Sequence, residues 1–290
     1  MTEPLSYEKA GVSIDAADAA KKLMAQSLET PDLRVLNRLG AFASLIDGAF
    51  ADYRHPVLVL KMEEPGSKQL LALLHGARKG LAQDLVNHLI NDIAVMGARP
   101  VAVLDTIVCG KLEKAVVVEL VDQLARACRE LGASLVGGET SEQPGVLAPG
   151  SYVLAASVLG VVEKEKIIDG SRIEVGDAVL ALPSNGPHTN GYTLIRKLLD
   201  SKPGLALSQV GGETFLEAVL KPHTPYLRAL ERLFDHPGLH GLAHITGGGI
   251  EGNLNRILPP GTAAEIDRAA LRVSPIFDAI REAGQVPERD

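Results

Sequence analysis

A chain of 290 residues is long enough for two domains of ordinary size. With 46% apolar and 22% charged residues it can bury a large core, which excludes an intrinsically disordered protein. A formal net charge of −7 excludes a general nucleic-acid binder, so an anionic ligand has to be met by local cationic and N–H groups.

The N-terminus, Met1-Thr2-Glu3-Pro4-Leu5, is acidic and lacks the apolar core of a signal peptide. Val57 to Leu60 reads as a buried strand, and Asp84 to Gly97 as a helix closed by glycine and followed by Pro100. Val101 to Val108 is a second apolar strand. Glu113 to Leu131 is a long helix with Val117, Leu120, Val121, Leu124 and Cys128 at core spacing. Ser134-Leu135-Val136 and Tyr152 to Glu163 complete an α/β order. The apolar stretches 100–104 and 153–162 are too short to span a membrane. Cys109 and Cys128 form neither a disulfide framework nor a metal spacing, and read as core residues of a reduced, cytoplasmic protein.

A polar shift at Glu163-Lys164-Glu165-Lys166, followed by turn signals, sets the domain boundary: residues 1–166 and 167–290. The second unit starts with a strand, Ala178 to Leu182. Helices follow near Thr214 to Leu220, Pro225 to Phe234 and Ser274 to Gly284.

Four segments carry glycines beside chemistry-bearing side chains: Glu63 to Lys68, Gly137-Gly138-Glu139, Ser184 to Gly191 and His244 to Gly249. Glycine lets backbone N–H groups approach phosphate oxygens, and a carboxylate after an apolar strand lies where open α/β sheets bind ligands. The helix from Asp84 carries Asp84, Asn87, His88 and Asn91 at three- and four-residue spacing, with no lysine or glutamate among them. That face is either solvated or built for ligand and cation contacts. Asp105 interrupts an apolar strand, as a ligand group or a satisfied structural acceptor. Three carboxylates on separate elements, Glu63, Asp92 and Glu139, form the candidate site for a hard cation, with Lys68 near phosphate.

In order along the chain, several blocks resemble the phosphoribosylformylglycinamidine cyclo-ligase (aminoimidazole ribonucleotide synthetase) family. They are Ser6 to Val12, Ile14-Asp15, Leu39 to Phe42, Val86-Asn87-His88, Asn91-Asp92, Val136 to Gly145, Gly160 to Lys164, Ser184 to Tyr192 and His244 to Gly249. The resemblance implies a two-domain fold whose first domain holds ATP and pairs through its sheet in a homodimer, under a second α/β domain. It implies ATP with Mg2+ activating a formyl amide oxygen, attack by an amidine nitrogen, and imidazole ring closure. It also assigns roles. Lys68, His188 and Asn190 are catalytic. Gly66, Ser67, Lys68, Asn91, Asp92, Gly137, Gly138 and Glu139 meet the nucleotide. His188, Thr189, Asn190, His244, Thr246, Gly247, Gly248 and Gly249 meet the substrate. Whether His188 polarises the reacting amide or positions it stays open.

The chain departs from the family twice. The family loop Asp-Gly-Val-Gly-Thr-Lys is here Glu63-Glu64-Pro65-Gly66-Ser67-Lys68, which keeps the charge but lengthens the metal-side carboxylate. The family also continues with an Arg-Thr-Phe-Asn-type segment and closing strands, so the second domain is expected to be incomplete and poorly active. Related enzymatic readings are a small-molecule kinase or selenophosphate synthetase of the same superfamily. The latter needs a reactive N-terminal cysteine, whereas the first here is Cys109. A non-catalytic dimeric remnant is the reading from another class.

Overall fold

The structure is a computed structural model that describes residues 14–36 and 41–287. The Ser6 to Val12 block and Leu39-Gly40 lie outside the described residues. In chain order the elements are α1 (Ile14–Ser27), β1 (Pro56–Glu63), α2 (Lys68–Leu74), α3 (Arg78–Ala94), β2 (Arg99–Cys109), α4 (Lys114–Glu130), β3 (Ser134–Glu142) and β4 (Tyr152–Glu163). Then come α5 (Tyr192–Ser201), β5 (Gln209–Val210), β6 (Glu213–Thr214), α6 (Phe215–Leu220), α7 (Leu227–Leu230), α8 (Gly249–Leu254) and α9 (Pro275–Gly284).

The first four strands form one sheet in the order β1-β4-β2-β3, antiparallel except for the β2–β3 pair. The α/β expectation holds. Helices α3 and α4 cover one face, where Leu85, Leu89, Ile93, Leu120 and Leu124 pack against Val103, Ile107, Leu154 and Val158. Alternation along β1 turns Val57 and Val59 to this core and exposes Leu58, Leu60 and Met62 on the other side. Part of that open face is covered by Ile46, Phe50 and Tyr53, which pack on Val101, Ala102 and Val161. The rest, with Leu60 77% exposed beside Met62 and Leu104, is bare apolar surface. Both cysteines are buried, and burial pushes both thiols up. No helix among the described residues is long and apolar enough to cross a membrane.

Three elements differ from expectation. Helix α3 begins at Arg78, because Leu81 and Ala82 are already in the core. Strand β3 does not end at Val136. Its parallel ladder with β2 carries it through Gly137 and Gly138 to Glu142. Gly138 has no side chain because the Asp105 carboxylate fills that space: a Cβ there would lie 2.2 Å from Asp105 Oδ1. The expected strand Ala178 to Leu182 forms no ladder among the described residues, and Val179, Leu180 and Leu182 are exposed. An apolar, β-prone run becomes a strand only when a neighbour takes its backbone groups.

The second half is held by a smaller core of Tyr192, Ile195, Phe215, Val219 and Ile276. Helix α6 starts at a capping box in which Thr214 and Glu217 each satisfy the other's backbone N–H. The expected helix 225–234 contracts to α7. Phe277 of α9 is 39% exposed, whereas Ile280 packs against the smaller core.

Asp105 points into the helix-covered face, and burial raises its pKa to about 7. A carboxyl raised on folding favours the folded state below its unfolded pKa of about 4, and that contribution is lost as pH rises toward the folded value. Asp105→Asn does not titrate. Its stability relative to the wild type should therefore rise by up to about 1.4 kcal/mol per pH unit until about pH 7, then level off. Urea unfolding of both proteins from about pH 5 to about pH 8 measures this. Parallel profiles would show that Asp105 does not titrate in that window.

Candidate active site

From Asp84 to Asn91 helix α3 is buried all round. Asp84, Asn87, His88 and Asn91 are all buried. Three of them bind the backbone of residues 223–226. Asp84 Oδ1 accepts from His223 N at 2.8 Å, and Asn87 Nδ2 donates to His223 O at 2.6 Å. Asn91 Nδ2 donates to Thr224 O at 2.9 Å, and Asn91 Oδ1 accepts from Tyr226 N at 3.0 Å. The Asp84, Asn87 and Asn91 side chains thus clamp a strap of the second half. Asn91, expected at the nucleotide, commits one amide N–H and one lone pair of its oxygen to the chain.

Lys68 departs further from expectation. Its side chain is 0% exposed, and its Nζ lies 2.9 and 2.7 Å from the two carboxylate oxygens of Asp84. It also donates to Lys221 O at 2.6 Å. Burial lowers the Lys68 pKa against the pull of Asp84, and burial raises Asp84 to about 6 against the pull of Lys68. Lys68 faces no open space where phosphate sits, because a buried carboxylate already takes its charge.

Above the strap lies a cluster of imidazoles. The ring centres of His88 and His223 are 4.8 Å apart, those of His188 and His223 4.0 Å, and His244 lies 5.5 Å from both His88 and His223. Burial, reinforced by the other cations of the cluster, pushes His188 down to about 3 and His223 further still. Burial also lowers His88, although Glu63 and Asp92 oppose it. These three rings are neutral at physiological pH. His188 is held at φ 55°, a left-handed conformation that is uncommon outside glycine and costs about 1 kcal/mol or more. It presents Nε2 to Thr224 N at 3.4 Å.

The carboxylates sit beside the rings. Lys61 Nζ lies 2.7 Å from Glu63 and 3.1 Å from Asp92. Burial alone would lower the Lys61 pKa, but these two carboxylates outweigh it and raise it. Burial alone would raise Asp92, but hydrogen bonds and charge from His244, His88 and Lys61 hold it below the usual range. His244 Nδ1 is 2.7 Å from Asp92 Oδ1, and His88 Nε2 is 3.8 Å from both Glu63 and Asp92.

Two glycine-rich loops close on this cluster. Gly66, at φ +59°, brings the Gly66-Ser67 turn against the Thr189 carbonyl. Asn190 Oδ1 stands where a Cβ on Gly247 would touch it, at 3.6 Å. The Thr246-to-Gly249 loop is held by buried Asn253, whose Nδ2 reaches the carbonyls of Thr246, Gly247 and Gly249 at 3.3, 3.2 and 2.8 Å. Of the expected site, the structure brings together Glu63, Gly66, Ser67, Asp92, His188, Thr189, Asn190, His244 and the 246–249 loop.

Glu139 does not join them. It pairs in register with Thr106 on the open face of the sheet, opposite to α3, and two strands separate β3 from β1. Gly137 faces the same side, near Ser44, and Gly138 lies against Asp105. Within one chain, therefore, Gly137 and Glu139 face the side of the sheet opposite to Glu63 and Asp92, and two strands stand between Gly138 and β1. Sequence reasoning missed His223, Lys61 and Asn253. Only Lys61 left a local signal, sharing a face of β1 with Glu63 two residues on.

Both halves of the chain match models of the AIR synthase related proteins: residues 53–162 the N-terminal domain and residues 174–287 the C-terminal domain. The phosphoribosylformylglycinamidine cyclo-ligase of Nitrosococcus oceani is 41% identical over 288 residues, which is 99% of this chain and 80% of that protein. The Chromobacterium violaceum protein of the same name is 40% identical over 287 residues, covering 98% and 83%. The chain belongs to the phosphoribosylformylglycinamidine cyclo-ligase family. Among solved structures it is similar to thiamine-monophosphate kinase from Stenotrophomonas maltophilia, with a TM-score of 0.62 and 19% identity over 94% of this chain and 82% of that one. It is also similar to HypE from E. coli, with a TM-score of 0.60 and 16% identity over 93% and 78%. At such identities these two share the fold alone.

Lys68→Met leaves Asp84 buried without its cation and should destabilise the protein by about 3–5 kcal/mol. Lys68→Met with Asp84→Asn should recover much of that loss. Denaturant unfolding of both variants measures the difference. A single variant of wild-type stability that loses only nucleotide affinity would return Lys68 to the phosphate.

Proposed function

We propose that the protein closes the imidazole ring of aminoimidazole ribonucleotide from formylglycinamidine ribonucleotide, consuming ATP and releasing ADP and phosphate in purine biosynthesis. The observation that carries this reading is about 40% identity to cyclo-ligases along nearly the whole chain. The kinase reading has only a shared fold behind it, at 19% identity. A coupled ADP-release assay with the formylglycinamidine ribonucleotide tests the reading. It expects turnover that depends on that substrate; ADP release unaffected by it, or none at all, would favour the kinase or the non-catalytic remnant.

The first half supplies a fitting place for Mg2+. Glu63 and Asp92 offer carboxylate oxygens, the donors a hard cation prefers, and already share one ammonium group between them. Mg2+ there, with nucleotide phosphates, would neutralise charge as the phosphoryl group moves to the formyl amide oxygen. The remaining work belongs to the chain. In this reading the Gly66-Ser67 turn and the 246–249 loop offer backbone N–H groups to phosphate oxygens. His188 accepts from Thr224 at Nε2 and so keeps its proton at Nδ1, as a neutral donor to an anionic substrate. Asn190 reaches the same space from the next turn and fixes orientation, which is where most of a ring closure's acceleration arises. Asp92→Ala should weaken Mg-ATP binding about tenfold or more in calorimetry, with unfolding unchanged to within about 1 kcal/mol. Unchanged affinity removes Asp92 from the nucleotide site.

We also propose a homodimer through the open sheet face. Leu58, Leu60, Met62 and Leu104 form a contiguous apolar patch there, of the kind that marks an interface. Leu60→Glu, away from the site, should convert a dimer into a monomer in sedimentation at micromolar concentration. A wild-type monomer at that concentration would exclude the pairing.

A further inference from the structure

The imidazole cluster carries more than substrate positioning requires. His244 gives Nδ1 to Asp92, and its Nε2 is buried without any partner. His223 is buried with both ring nitrogens unpartnered. His88 Nε2, 3.8 Å from two carboxylates, is too far from either to hydrogen-bond. A buried ring nitrogen without a partner costs about 1–3 kcal/mol, and those of His223 and His244, on rings 5.5 Å apart, ask for a shared acceptor of lone pairs.

The ring geometry indicates which acceptor. A metal–nitrogen bond of about 2.1 Å and a tetrahedral angle place the centres of two imidazoles on one ion roughly 5 Å apart. The three rings stand at 4.8, 5.5 and 5.5 Å from one another. Ligand atoms of His88, Asp92 and His244 already lie within 4.8 Å of one another, and His223 adjoins them through its ring contacts with His88 and His244. The Asp92–His244 contact is the carboxylate–histidine arrangement that fixes an imidazole tautomer and aims its free nitrogen at a metal. Around this point the charges of Glu63, Asp92 and Lys61 leave one net negative charge, and neutral rings are the ligating form.

We propose that His88, His223 and His244 form a three-imidazole site for a borderline divalent ion of the zinc class, with Asp92 as its carboxylate. The donors differ from the oxygen pair offered to Mg2+, because nitrogen ligands favour Zn2+, Co2+ or Ni2+. The site would also staple the molecule. His88 and Asp92 come from α3, and His223 and His244 from the second half, so a bound ion bridges the two as a metal-linked contact.

Binding is read without nucleotide or substrate, so it stands or falls apart from the cyclisation reading. Metal-free protein is titrated with Co2+ and followed by visible absorption. The expected result is one ion per chain with the intense bands of a tetrahedral site, and displacement by Zn2+. His244→Gln and His223→Gln should each weaken binding about tenfold or more. His240→Gln, which alters the exposed His240–Asp177 pair, should leave it unchanged. No stoichiometric binding, or loss of the signal in His240→Gln instead, overturns the site. X-ray absorption on the zinc-loaded wild type needs no variant and covers the case in which a substituted protein fails to fold. Three imidazole ligands support the assignment; two or fewer overturn it.

Discussion

The buried pair of Lys68 and Asp84 fixes the relation between the two halves. Neither side chain touches solvent, and each is also bonded to the strap, Lys68 to Lys221 O and Asp84 to His223 N. Isolated, either charge would be prohibitive in such a place; paired, the two roughly break even. The pair's value is therefore one of register. A strap shifted by one residue would leave Asp84 facing the wrong backbone group, and Asn87 and Asn91 would lose their partners in the same step. With the register held, His223 lies over His88 and Thr224 reaches His188.

The first sheet separates its tasks by face. The side toward α3 carries the core, the carboxylates Glu63 and Asp92 and their bridging lysine. The other side carries Leu60, Met62, Leu104 and Glu139 without a covering helix among the described residues. Because strand residues alternate faces, two carboxylates in similar glycine-rich surroundings end in unrelated environments. His88, His188 and His223, three neutral histidines, then line the junction of the two halves. Their mutual repulsion when charged, and their burial, keep them in the form that donates or ligates without adding charge to the cleft.

Much of the architecture was legible in the chain. Apolar runs and period-3.6 spacing marked the four strands of the sheet and helices α3 and α4. The absence of lysine and glutamate from the polar face of α3 argued against a solvated surface, and the face is buried, although the strap it holds left no local sign. The motif blocks were enough to place the chain in its family. These features are local: a few neighbouring residues decide the periodicity, the cap or the turn.

What the face of α3 meets, which side of the sheet holds Glu139, and where Lys68 points were decided by contacts between residues far apart in the chain. Asp84 and His223 are 139 positions apart, and Asp92 and His244 are 152 apart. A short polar side chain at helical spacing fits a cation, a ligand or a backbone strap equally well, so its own neighbourhood cannot choose among them. Strand pairing set the side of Glu139 through a register irregularity between Val103 and Leu104. The unpaired run at 178–182 shows the same limit from the other direction: strand propensity is written in the residues, but a strand exists only where a second backbone completes its hydrogen bonds.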